Sequence, residues 1–105
     1  MKILFDQCTP VPLRKYLSGH SVNTAFECGW SQLQNGELLE ISEKEGYQLL
    51  ISTDQNLKYQ QTLSDRHLAI IVLLSASWPR IQRRVDEIRV AVDEISPGDY
   101  REIPV

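Results

Sequence analysis

Apolar residues recur along this chain in two rhythms, as short unbroken runs and as longer spaced stripes. Ile3-Leu4-Phe5 runs straight into Asp6, with Pro10 and Pro12 close behind. A short apolar run bounded by breakers predicts a buried strand. The phrase returns at Leu49-Leu50-Ile51-Ser52-Thr53-Asp54, so residues 47–52 read as a second strand ending near an aspartate. Residues 68–74 are apolar throughout and rich in Ile and Val. Such a run predicts a parallel strand covered on both faces.

The stripes predict helices. Over residues 11–17, Leu13 and Leu17 form an i,i+4 pair, with Thr9 as N-cap, Pro10 at the first helical position and Gly19 as the stop. Residues 36–45 turn Leu38, Leu39, Ile41 and Ser42 inward, with Asn35 as cap and Gly46 as the closing glycine. Trp78, Ile81, Val85, Ile88, Val92 and Ile95 are spaced 3, 4, 3, 4, 3. That spacing predicts one continuous helix from a Ser77 cap, with Pro79 in its first turn, to the stop at Ser96-Pro97-Gly98. Val22 and Thr24 alternate weakly over residues 21–25, a short strand, and residues 26–30 read as a turn around Gly29. Residues 55–63 are polar, a loop running into a short helix. Residues 100–105 are expected as an edge strand, because Pro104 is not tolerated in a central one.

Strands alternating with helices predict an α/β fold, a parallel sheet with helices on both faces and right-handed crossovers. With 105 residues and no linker or repeat, one domain spanning 1–105 is expected. The net charge of −3 argues against broad electrostatic capture of nucleic acid, which depends on Lys and Arg neutralising phosphates. It leaves room for a local basic rim at Arg14-Lys15 or at Arg80, Arg83 and Arg84, though either cluster reads more simply as a solvated helix face. No apolar run approaches the roughly 18 residues that span a bilayer, so no membrane association is expected. Two cysteines make no disulfide framework, and charges at Lys2 and Asp6 interrupt any signal-like start, so a cytoplasmic protein is expected.

If the strands are parallel, Asp6 and Asp54 emerge on one sheet edge, where open α/β folds bind ligands. Mg²⁺ takes hard oxygen ligands, commonly one or two carboxylates plus water and substrate phosphate. Asp6 and Asp54 are the candidates, with Glu37, in the first turn of its helix, as the third acid and Glu40 as a weaker one. Such a site polarises a phosphodiester and activates a water. Taken singly, each acid also fits a plainer role, turn capping for the aspartates and helix-dipole stabilisation for Glu37.

Ile3-Leu4-Phe5-Asp6-Gln7, Asn35-Gly36-Glu37-Leu38-Leu39 and Ser52-Thr53-Asp54-Gln55-Asn56-Leu57, with Tyr59-Gln60-Gln61, resemble a small bacterial PIN-like family related to the toxins of toxin–antitoxin pairs. The resemblance extends through Val72-Leu73 and Trp78-Pro79. It implies a PIN-like three-layer α/β/α sandwich with a mainly parallel sheet, and Mg²⁺- or Mn²⁺-dependent ribonuclease activity. By the same resemblance Asp6, Glu37 and Asp54 bind metal and carry catalysis, with RNA as substrate, an antitoxin as a possible partner and a homodimer as a possible state. Gln7 and Asn56 complete the shell as neutral groups, and Lys58, Arg14 and Arg80 steer a phosphate backbone. In one respect the chain departs from the pattern: Ser75-Ala76-Ser77 carries no carboxylate where PIN nucleases place further acids. That keeps a non-catalytic module binding RNA or an antitoxin in view.

Two other chemistries are weaker. Cys8 to Arg14 has the Cys-x5-Arg spacing of a phosphatase loop, but Pro10 and Pro12 remove two backbone donors and no glycine lets the loop close. A receiver domain with Asp54 as phosphoacceptor wants paired acids at the first strand and a late lysine, and neither is here. His20 and His67 lack partners at ligand spacing, and Trp30 and Trp78 read as packing residues.

Overall fold

A computed structural model describes residues 1–59 and 66–105. Five strands form one all-parallel sheet: β1 (Lys2–Phe5), β2 (Ser21–Thr24), β3 (Leu49–Ser52), β4 (Ala69–Leu73) and β5 (Tyr100–Ile103). Their spatial order is β2-β1-β3-β4-β5. Among the described residues there are three α-helices, α1 (Asn35–Lys44), α2 (Trp78–Gln82) and α3 (Val85–Glu94), and two 3₁₀ helices, Val11–Leu17 and Gln55–Tyr59. No helix among the described residues is long and apolar enough to cross a membrane.

Period-2 alternation along the strands sorts the core into two halves. Ile3, Phe5, Leu49, Ile51, Ile71 and Leu73 face the side covered by the first 3₁₀ helix, α2 and α3, through Leu13, Leu17, Ile81, Ile88 and Val92. Leu4, Leu50, Ile70 and Val72 face the opposite side with Leu38 and Leu39 of α1. The result is a three-layer α/β/α sandwich. Every residue of β3 and β4 is buried, as their apolar runs require of interior parallel strands. β5 is an edge strand, and Pro104 falls just beyond it.

Several element ends depart from the pattern in the sequence. The segment after β1 is a 3₁₀ helix capped at Pro10 rather than an α-helix capped at Thr9, because the Thr9 hydroxyl is committed to Asp6 and to the Ile51 carbonyl. The helix α1 is capped by Gln34, which forms a capping box with Glu37, so Asn35 is its first residue and its side chain is free for other work. The apolar stripe from Trp78 to Ile95 is carried by two helices. Arg84 N–H bonds back three residues to the Ile81 carbonyl (2.9 Å), and α3 begins after that tightened turn. Ile81 and Ile88 stay fully buried on either side, so the break leaves the stripe intact and has no hydrophobic signature. Of the segment expected as loop and short helix over 55–63, the part up to Tyr59 is the second 3₁₀ helix. Its remainder, with Gln60 and Gln61, lies outside the described residues.

Two glycines hold left-handed backbone where strands begin. Gly46 (φ 85°) closes α1, and Gly98 (φ 82°) turns the chain into β5 while its N–H bonds the His67 carbonyl (2.9 Å). A Cβ at Gly98 would stand 3.1 Å from the Arg66 carbonyl oxygen, whereas one at Gly46 would meet nothing within 4 Å. Gly46→Ala is therefore expected to destabilise by about 1–2 kcal/mol in urea melts, from the left-handed strain alone, and Gly98→Ala by more, since the close contact adds to it.

Candidate functional site

The order β2-β1-β3 places a topological switch point between β1 and β3, because the chain leaves β1 toward β2 and returns on its other side as β3. Connections diverge at such a point and leave a crevice beyond the strands' carboxyl ends. Register pairs Phe5 with Ile51, and both strands end within a residue of that pair. Asp6 and Asp54 consequently open into one cleft of about 340 Å³, with Asn35 on its wall.

Asp6 is only 9% exposed and is tied down from several sides. Its Oδ1 accepts the backbone N–H of Cys8 (3.2 Å) and of Thr9 (3.0 Å). The Thr9 hydroxyl lies 2.7 Å from the same oxygen and 2.8 Å from the Ile51 carbonyl, and its single proton serves one of them at a time. The Ser52 hydroxyl donates to Asp6 Oδ2 and accepts the Asp54 N–H (3.0 Å). One hydroxyl thus links the two aspartates and fixes the end of β1 against the end of β3.

Asp54 is held more lightly. Oδ1 accepts the Asn56 N–H (2.9 Å) and Oδ2 accepts the side-chain amide of Asn35 (2.5 Å). A carboxylate offers about four acceptor positions. By that measure, counting the described residues, Asp6 Oδ1 is saturated, while Asp6 Oδ2 and both Asp54 oxygens each accept one bond. This is a pair of hard-oxygen carboxylates in a cleft also lined by Asn35 and Gln7. It suits a single Mg²⁺-like ion that completes its shell with water and phosphate oxygens.

The other expected site residues are distributed as follows. Glu37 is exposed, lies outside the residues lining the cleft, and turns Oε1 toward the Gln34 N–H (3.4 Å) to complete the capping box. Among the described residues no group of three or more His, Cys, Asp or Glu side chains is placed to hold a metal ion. Gln7 lines the cleft, whereas Asn56 reaches Asp54 through its backbone. Lys58 stands 3.8 Å from Glu102 of β5. Arg14 lines a second hollow that shares Asp6 and Gln7 with the first, and it pairs with Glu27 through two bonds of 2.7 and 3.3 Å. Arg80 is exposed on α2.

Sequence reasoning passed over Ser52, Thr9 and Asn35 as site residues. The Asp6-x-x-Thr9 spacing is a local signal for the first contact, since an aspartate commonly accepts hydrogen bonds from the turn that follows it. Ser52 and Asn35 carry no such signal, because their partners lie 46 and 19 residues away. Trp30 meets the Tyr47 ring edge-on at 5.9 Å and also forms part of the cleft wall.

Cys8 is exposed at the cleft mouth. Partial burial of the sulfur, and then the charges of Asp6 and Asp54, push its thiol above the ordinary cysteine range. That is the opposite of what a thiolate nucleophile needs and removes support from a phosphatase loop. Alkylation of Cys8 by iodoacetamide, followed in a Cys28→Ser background, is expected to run slower at neutral pH than for a free cysteine. The rate should keep rising with pH beyond the point where a free thiol levels off.

Compared with known proteins, the chain matches no family model, no curated relative and no solved structure.

Proposed function

We propose that this protein is a cytoplasmic, PIN-like, divalent-cation-dependent ribonuclease working at the β1/β3 crevice. The observation that carries the reading is the convergence of Asp6 and Asp54, 48 positions apart in the sequence, on one cleft at the switch point of a parallel sheet. Asp6 and Asp54 would hold the ion, with Gln7 and Asn35 supplying neutral oxygens. When bound, Mg²⁺ or Mn²⁺ polarises the phosphodiester and acidifies a water. Ser52 and Thr9 keep the Asp6 carboxylate in a fixed orientation, so little reorganisation accompanies binding. Asn35 holds the freer Asp54 oxygen in place through its amide, and Glu37 sets the start of the helix that presents Asn35.

The test is cleavage of single-stranded RNA in Mg²⁺ and Mn²⁺, with calorimetric titration of the metal. Expected is activity lost to a chelator and measurable metal binding by the wild type. RNA left intact under both metals, with no heat of metal binding, overturns the reading. Glu37→Gln sharpens it: glutamine preserves the capping box, so cleavage and helix stability should both be retained.

A second reading is favoured by the amide at Asn35, which stands beside Asp54 where a third acid would strengthen a cation site. A cleft built this way can hold RNA or an antitoxin without cutting it. RNA affinity that survives a chelator, with no cleavage under any metal, selects that reading.

A further inference from the structure

Phe26 is the most exposed large hydrophobic residue among those described, at 76%. The exposure is built in. The turn that carries Phe26 is fastened by Ala25 N–H to the Phe5 carbonyl (2.8 Å), Trp30 N–H to the Ala25 carbonyl (2.8 Å) and Cys28 N–H to the Thr24 carbonyl (3.1 Å). Thr24 and Glu27 exchange two further bonds, Thr24 N–H to Glu27 Oε1 (2.9 Å) and Glu27 N–H to Thr24 Oγ1 (3.1 Å). Arg14 then clamps Glu27, and its hydrogen bond, followed by that from the Thr24 N–H, holds the Glu27 carboxyl below the usual range. An apolar ring kept in water by a turn this well fastened is presented rather than left over.

What it faces is specific. Phe26, the half-exposed Val11 and Arg14 border a hollow of about 260 Å³ whose lining includes Asp6 and Gln7. The same two residues line the aspartate cleft, so the two hollows adjoin each other at the carboxyl edge of the sheet. A chain whose phosphate lay at Asp6 and Asp54 would have the hollow bordered by Phe26 next to it. Its next unit meets an aromatic face with a guanidinium close by, and Arg14 keeps donors beyond the two given to Glu27. A nucleotide offers both complements, a flat base for the ring and a phosphate for the guanidinium.

We propose that Phe26 is a stacking platform for the nucleobase adjoining the phosphate held at Asp6 and Asp54, with Arg14 against the neighbouring backbone phosphate, so that the adjoining hollows take unpaired RNA. The placement of that phosphate rests on the ribonuclease reading. Stacking on Phe26 is itself measurable without cleavage.

The experiment compares wild type, Phe26→Ala, Phe26→Leu and Phe26→Trp for binding of an end-labelled single-stranded RNA by fluorescence anisotropy, in Ca²⁺, which also takes oxygen ligands, in place of the Mg²⁺ used for cleavage. Circular dichroism checks each fold. Phe26→Ala should weaken binding by roughly 5- to 100-fold, and where cleavage is measured the loss should appear in KM. Phe26→Trp should restore affinity, with its emission quenched as RNA binds, and Phe26→Leu should not. Wild type should bind an RNA lacking the base as weakly as Phe26→Ala binds the intact one. Unchanged affinity in Phe26→Ala overturns the platform, and so does full rescue by leucine, which would mark a site for an apolar protein side chain. Failure to bind RNA at all overturns it too. Quenching and base dependence without cleavage sink the nuclease reading and leave the platform standing. Normal cleavage with unchanged Phe26→Ala affinity does the reverse.

Discussion

Asp6→Ala is expected to lower stability by about 3 kcal/mol, seen as a fall in Tm of roughly 12–24 °C for a domain of this size. Four donors converge on that carboxylate: the N–H groups of Cys8 and Thr9 and the hydroxyls of Thr9 and Ser52. The site is buried, so water does not freely replace the lost acceptor. A buried donor left unsatisfied costs about 1–3 kcal/mol, and several share the loss here without adding in full. The Thr9 hydroxyl retains the Ile51 carbonyl as a fallback, and among the described residues the Ser52 hydroxyl has no second acceptor. Asparagine does not repair the site, because its NH₂ would be a fifth donor among donors. A melting curve for Asp6→Ala within a few degrees of wild type would show that the carboxylate does not hold the β1 and β3 ends together. If the effect has the expected size, lost activity in any Asp6 variant mixes folding with chemistry.

Asp54→Asn separates the two, and RNA cleavage is expected to drop by about 100-fold or more, since a cation stabilises developing charge by several kcal/mol. The melting curve should barely move. Among the described residues two donors reach Asp54, and each partner is kept in the exchange. The new side-chain oxygen accepts the Asn56 N–H, and the Asn35 amide turns over to accept from the new NH₂. The charge is what disappears, and with it one of two anionic ligands. Metal affinity by calorimetry should fall in parallel with cleavage. Asp54→Asn enzyme that cuts RNA at the wild-type rate, with wild-type metal affinity, would remove Asp54 from the site.

The alternation of Leu, Ile and Val runs with amphipathic stripes was enough to read a parallel sheet with helices on both faces. Burial follows from period, and period is a local property. The runs that end at Asp6 and Asp54 likewise point both acids to one edge, since parallel strands share a direction. Interior and edge positions were legible too. The unbroken run over residues 68–74 belongs to a strand covered on both faces, and Pro104 sits just past an edge strand.

Two features lay outside that information. The stripe from Trp78 to Ile95 is broken at Arg83 and Arg84 with no glycine or proline to announce it, because a tightened turn keeps the buried positions in line. The capping role passed from Asn35 to Gln34. That shift of one residue freed an amide to reach Asp54 and set Glu37 to capping. Sequence spacing favours Glu37 for the cleft, and the helix start places Asn35 there instead.

From its sequence alone, then, the protein's layers, strand direction and two strand-end acids are determined, because each depends on residues within a few positions of one another. Tertiary structure decided that β1 and β3 are neighbours, that Ser52 bridges their acids, and that Phe26 stands in water beside them. Those contacts join segments up to 46 positions apart, and only the strand order chooses which segments meet.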